Sequence, residues 1–274
     1  MHNHNRSTDH RIDWAVIPGA LWRSHRQQLK PVPALDPVRL DDLLGIEQQK
    51  HELVTNTERF MAGLPANNAL LWGARGTGKS SLVKAVANAF TARGLRIVQV
   101  DRDDLILLPE IVDQLRDQPY HFVIFCDDLS FAAGDAGYRA LKTVLEGSIE
   151  APAGNVRIYA TSNRRHLVPE YLADNEQSRV SGTEIHHGDE VEEKISLADR
   201  FGLWLSFYPI DQESYLAIVD HLFAGSDGDL ARNDRSAGLD GHTGRHAEAL
   251  RFAQTKGVRS GRTARQFFNA CHKS

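Results

Sequence analysis

The sequence predicts a layered α/β fold: a five-stranded parallel sheet between two helical layers, followed by a small C-terminal all-α lid. Three observations carry this. Short apolar, β-rich runs recur through the middle of the chain, helical stretches separate them, and after Pro209 only helical patterns remain. Strands that alternate with helices run parallel and are covered on both faces.

Residues 1–36 read as irregular, rich in His, Asn, Arg and Pro, with Trp14 and Trp22 as isolated apolar anchors. The stretch KPVPALDP cannot hold a helix, because each Pro removes an N–H and restricts its predecessor. Residues 1–37 are therefore expected to form an arm or linker. Residues 47–62 predict a helix with Leu53, Val54, Thr57, Phe60 and Met61 near one face. The expected strands are ALLW (69–72), RIVQV (96–100), FVIFC (122–126), RIYAT (157–161) and LWLSFY (203–208). Helices are expected between them at about 79–92, 105–117, 136–150 and 168–174. Asp211 is a plausible N-cap for a helix striped with Tyr215, Leu216, Val219, Leu222 and Phe223. A Gly/Asp-rich loop (225–244) leads to helices at about 245–256 and 260–272. The expected division is 1–37 arm, 38–209 α/β core and 210–274 helical lid.

Composition removes several classes. With 274 residues, 41% of them apolar, the chain can bury a sizeable core and is not a disordered tail. No run approaches eighteen apolar residues, and MHNHNRSTDHR has no apolar stretch behind its charges; a soluble, cytoplasmic protein is expected. A net charge of −4 does not advertise a nucleic-acid surface. The two cysteines, Cys126 and Cys271, lie far apart, no Cys/His cluster has zinc spacing, and Cys126 reads as a small core residue.

The chemistry begins at GARGTGKS, residues 73–80, which fits G-x-x-x-x-G-K-[ST] with a strand before it and a helix after it. Gly73, Gly76 and Gly78 let backbone N–H groups turn inward without Cβ clashes, so that Ala74, Arg75 and Thr77 complete a nest for phosphate oxygens. The helix N-terminus, entered through Ser80 and Ser81, adds its dipole. Lys79 is placed to neutralise the β- and γ-phosphates, and the Ser80 hydroxyl to ligate Mg²⁺. This makes the expected fold a P-loop NTPase binding ATP with Mg²⁺. A second metal carboxylate is needed from the tip of a buried strand, and FVIFC followed by Asp127 and Asp128 supplies it. Asp128 then falls where a base orients the attacking water. Many such ATPases place Glu second, and Asp is a methylene shorter: either the loop compensates or turnover is slow.

GARGTGKS, FVIFCDD, YATSNRRHL and ADRFG stand in the order found in AAA+ ATPases. The phrases LDDLLGIEQQK, LPANNALLWGARGTGKSSLVKA, EEKISLADRFGLWLSFYP and SGRTARQF resemble the bacterial stand-alone AAA+ family catalogued as domain of unknown function 815, over roughly residues 38–272. The resemblance implies that Asn163 is sensor 1, between the γ-phosphate and the attacking water. It implies that Arg200 is an arginine finger reaching a neighbouring subunit's nucleotide, a role suited to a permanently charged, bidentate side chain. It makes Arg262 sensor 2, with Arg265 as the rival, and Gly45 and Ile46 the segment that packs on adenine. Unfoldases carry an aromatic–hydrophobic–Gly pore loop after the second strand; here DRDDLILLPE (101–110) has neither aromatic nor Gly, so threading of protein chains is poorly supported. The acidic insertion 173–194 precedes the finger, and its His186 and His187 read as solvated.

The expectation is a Mg²⁺-dependent ATPase with its site at a subunit interface, hence a homo-oligomer (ring or interface-sharing), driving a conformational change in an unknown protein or nucleic-acid partner. The alternative is a slow-turnover, ATP-gated loader or binding module acting on DNA or protein, favoured by Asp128 and by basic residues such as Arg164, Arg165, Lys256 and Arg259. A small-molecule phosphotransferase fits less well, because it needs an acceptor pocket and no finger.

Overall fold

The computed structural model describes residues 12–131, 135–147, 149, 151–163, 200–224 and 239–271. Its strands are β1 (Gly19–Arg23), β2 (Gln28–Val32), β3 (Ala69–Gly73), β4 (Leu95–Val100), β5 (His121–Cys126), β6 (Val156–Ser162) and β7 (Leu203–Phe207). They form one seven-stranded sheet in the order β2-β1-β4-β5-β6-β3-β7. Only β1 and β2 pair antiparallel. The helices are α1 (Glu47–Met61), α2 (Lys79–Thr91), α3 (Leu108–Arg116), α4 (Ala136–Glu146), α5 (Gln212–Ala224), α6 (Leu239–Thr255) and α7 (Gly261–Cys271).

The five expected strands are β3 to β7; β1 and β2 correct the count. They come from the segment expected to be an irregular arm, and the reason is local. In β1, Ala20 and Trp22 alternate inward, each 3% exposed, within a run of only five residues. β2 contains Pro31, which no central strand would accept, but β2 is the sheet edge, where a missing N–H costs no ladder bond. Buried Arg96 ties the segment down by donating from Nε to the Trp14 carbonyl (2.6 Å) and from Nη1 to those of Thr91 and Leu95. Gly19 sits so close to β4 that an added Cβ would lie 2.8 Å from the Ile97 carbonyl.

Side-chain alternation divides the core. Phe122, Ile124 and Cys126 face one layer with α3 and α4, while Val123 and Phe125 face the other with α1 and α2. Buried Tyr159 anchors α1 to the sheet, its hydroxyl meeting Thr57 Oγ1 (2.8 Å) and Asn56 Nδ2 (3.2 Å). A separate cluster of Tyr215, Val219, Leu222, Ala249, Ala253, Ala264 and Phe267 unites α5, α6 and α7.

Boundaries differ in places. The helix expected at 105–117 is a 3₁₀ stretch (Arg102–Leu107) running into α3, with Pro109 in the first turn. That expected to reach 150 ends at Gly147, whose φ of 83° no longer follows the helix. α6 begins at Leu239 rather than 245, so the helix absorbs Gly241 and Gly244, which the sequence marks as loop. Asp211 caps α5 as expected, accepting from the Ser214 N–H at 2.8 Å. The helix expected at 168–174, the insertion 173–194 with its histidines, Arg164 and Arg165 lie outside the described residues.

Trp14 is 5% exposed and meets Phe122 edge-on at 4.9 Å. Trp14→Ala is expected to lower stability by about 3–5 kcal/mol, read as a lower denaturation midpoint with an unchanged slope. A loss below about 1 kcal/mol would place the segment outside the cooperative unit.

Candidate nucleotide-binding site

The parallel register brings three strand ends together: β3 runs beside β6 (Trp72 with Ser162), and β6 beside β5 (Ala160 with Cys126). The chain leaves β3 into the glycine loop and leaves β5 and β6 into the acidic and amide residues. Ligands of open α/β sheets collect at such carboxyl ends.

Two glycines are required by contact. An added Cβ on Gly73 would fall 2.0 Å from the Phe207 carbonyl, and one on Gly76 2.9 Å from Ser260 Oγ. Gly78, with φ 98°, turns the chain into α2. Thr77 Oγ1 donates to the Ala74 carbonyl (2.8 Å). Lys79 is only 5% exposed, and its ammonium curls back onto the Gly73 (2.8 Å) and Ala74 (2.6 Å) carbonyls. Burial lowers its pKa from the ordinary lysine value to about 8, against the opposing pull of Asp128 and Asp127, and Arg262 and Arg75 push it further down. Arg75 stands exposed at the lip of the loop, and Ser81 continues into α2.

Ser80 Oγ donates to Asp127 Oδ1 at 2.7 Å, so the hydroxyl and carboxylate expected to hold the metal already converge. Among the described residues no cluster of three or more His, Cys, Asp or Glu could hold a metal ion. One hydroxyl and one carboxylate, both hard oxygen donors, suit Mg²⁺, which keeps several waters and takes its remaining ligands from phosphates. Asn163 Nδ2 donates to Asp128 Oδ1 at 2.5 Å, joining the expected base and sensor. Asp128 has φ 55°, a left-handed conformation that Asp adopts more readily than Glu. Cys126, the preceding residue but one, is 1% exposed; burial, then the Asp127 charge, push its thiol up to about 12, so it stays protonated.

The lid closes over the loop. A cavity of about 410 Å³ is lined by Ala74, Arg75, Gly76 and Thr77 below and by Arg259, Ser260 and Arg262 above. Arg265 instead lies over the Phe268 ring at 5.8 Å. Gly45 (φ 75°) faces Ser214 at the start of α5, and buried Ile46 points Cδ1 towards Gly78.

Arg200 is not brought to this cluster. It precedes β7, which pairs with β3 from Leu203 opposite Ala69 to Phe207 opposite Gly73. It therefore sits at the far end of the sheet, a strand length or roughly 16 Å from the loop, paired with Glu146 at the end of α4. Sequence reading missed Thr161, which bonds both Asp127 and Asp128, and Ser260, the N-cap of α7, whose Oγ accepts from the Thr263 N–H at 3.1 Å. Ser260 had a legible signal, a capping residue before an amphipathic run; Thr161 looked like one more strand residue.

Among known proteins, the family model described as "Protein of unknown function (DUF815)" matches residues 16–274. An alignment 172 positions long shows 29% identity to proteasome-activating nucleotidase 2 of Haloferax volcanii, covering 54% of this chain and 42% of that protein. A shorter one, 56 residues at 39% identity, matches the replication factor C large subunit of Ignicoccus hospitalis, covering 20% of this chain and 12% of that one. The chain thus spans less than half the length of these curated relatives. In structure it is similar to C. elegans PCH-2, with a TM-score of 0.54 at 16% identity over 83% of this chain and 63% of that one.

Burial brings the pKa of the Lys79 amine down to about 8. A docked polyphosphate favours the charged form and raises that value, so ATP affinity should be full below pH 8 and decline above it. Calorimetry at pH 8 in two buffers of different ionisation enthalpy should show proton uptake on binding, and Lys79→Met should abolish it.

Proposed function

The chain belongs to the DUF815 family and is related to AAA+ P-loop ATPases, and we propose that it binds ATP with Mg²⁺ between core and lid and hydrolyses it. The observation that carries this is the meeting of Lys79, Ser80, Asp127, Asp128 and Asn163 at the ends of β3, β5 and β6. Loop N–H groups hold the phosphates, and Lys79 exchanges two loop carbonyls for phosphate oxygens. Ser80 and Asp127 would hold Mg²⁺, which when bound offsets charge on the β- and γ-oxygens. Asp128 orients the attacking water and draws its proton, while the Asn163 amide fixes the Asp128 carboxylate. Gly45 and Ile46 would contact the base, and Arg262 the phosphates from the lid.

Arg200 supplies the remaining positive charge from a neighbouring copy, which makes the working unit a homo-oligomer. The span of the sheet between Arg200 and its own loop supports this: charge delivered in trans needs no long reach. The core through residue 209 and the lid from 210 are then the two bodies that nucleotide state moves, transmitting the change to a protein or nucleic-acid partner. Among the described residues no helix is long and apolar enough to cross a membrane. A second reading, an ATP-gated binding module with slow turnover, draws on Asp128, whose short carboxylate is already engaged by Asn163.

Phosphate release by the purified chain should rise faster than linearly with protein concentration. Arg200→Ala should remove that steepness and leave nucleotide binding intact. Asp128→Asn, which keeps the left-handed turn, should bind ATP while losing about 10²-fold or more in turnover. Tight binding without turnover in the unaltered chain would select the gated module, and the absence of any heat of ATP or ADP association would overturn both readings.

A further inference from the structure

We propose that Thr161 is a positioning residue that sets the metal-binding and water-orienting carboxylates together; the inference rests on the ATPase reading above. Thr161 lies in β6 and is 2% exposed. Its Oγ1 donates to Asp127 Oδ1 at 2.5 Å and accepts from the Asp128 N–H at 2.9 Å. A hydroxyl has one proton and two lone pairs, so a single atom satisfies an acceptor on one acidic residue and a donor on the next. The same residue's carbonyl accepts from the Leu129 N–H at 2.7 Å.

These bonds pin a turn that would not hold itself. The left-handed backbone of Asp128 (φ 55°) is a sparsely populated conformation that persists only where its surroundings fix it. The turn decides where the Asp128 carboxylate points, and hence whether it meets the Asn163 amide, which it does at 2.5 Å. On the other side, Thr161 and Ser80 hold the same Asp127 oxygen, Oδ1, the second at 2.7 Å. Strand, loop and helix thus share one carboxylate. Valine at 161 would fill the space and suit the strand, but offers neither proton nor lone pair. It would leave the Asp128 N–H without its partner and Asp127 held from one side only.

The test uses the full chain with Thr161→Val, Thr161→Ser and, should Val not fold, Thr161→Ala. It reads thermal unfolding, affinity for ADP without metal, the gain in ATP affinity on adding Mg²⁺, and kcat and KM for ATP. Thr161→Val is expected to unfold cooperatively and to bind metal-free ADP within about twofold of the original. Its kcat should fall about 10- to 100-fold, the loss expected of a charge-assisted bond, while its Mg²⁺-linked gain should shrink severalfold and KM for ATP should rise by no more than that same factor. Thr161→Ser should restore both to within about threefold.

An unchanged kcat and Mg²⁺-linked gain in Thr161→Val, a Ser variant as poor as Val, or a parallel loss of ADP affinity would overturn the proposal. An original chain that binds ATP but releases no phosphate defeats hydrolysis alone. The Mg²⁺-linked gain then decides Thr161, and its persistence in Thr161→Val overturns the role. An original chain that binds no nucleotide overturns both.

Discussion

A buried ammonium is the constraint around which this molecule is arranged. Lys79 is 5% exposed, and a cation withdrawn from water must be compensated by hydrogen bonds or opposite charge. Here the Gly73 and Ala74 carbonyls accept from it, while Asp127 and Asp128 lie close enough to resist its loss of charge. The loop must bend tightly to present those carbonyls, which explains the glycines. The carboxylates must arrive from β5, and so the sheet must hold β5 near β3 with only β6 between them. A chain with the same glycine loop on an edge strand would lack them.

The same order explains why the N-terminal segment belongs to the sheet. With β7 closing one side, β4 would otherwise be the opposite edge, exposing a row of backbone donors and acceptors beside a strongly apolar strand. β1 covers that row, and β2 moves the edge outward to a strand carrying Lys30 and Pro31, residues that resist further pairing. Arg96 reinforces the closure by spending its donors on carbonyls of the covering segment and of its own turn.

Much of this was legible in the sequence, and the residues show why the rest was not. The glycine loop, the apolar run into Asp127 and the alternation of β and helical patterns are local signals, each contained in a window of about ten residues. They located β3 to β7 and the acidic pair to within a residue or two. β1 depends instead on a pairing with β4, more than seventy positions away in register, β2 depends in turn on β1, and Pro31 within β2 argues against a strand. Thr161 is a similar case: its type and its place in β6 are ordinary, and only the register of β6 beside β5 puts its hydroxyl between two aspartates. Arg262 and Arg265 lie one helical turn apart, and no local rule separates them. Packing does, by turning Arg265 onto Phe268 and Arg262 towards the glycine loop.

The short second carboxylate follows from the same geometry. Where a chain leaves a strand through an ordinary extended residue, a longer Glu reaches the water without strain. Here the residue after Asp127 turns left-handed, a conformation that disfavours Glu and tolerates Asp. The turn also changes where the side chain starts, so length and direction have to be judged together. Asp128 in this backbone reaches the Asn163 amide at 2.5 Å. The missing methylene is thus a property of the turn that Thr161 holds, and restoring it without changing the turn would carry the carboxylate past its partner.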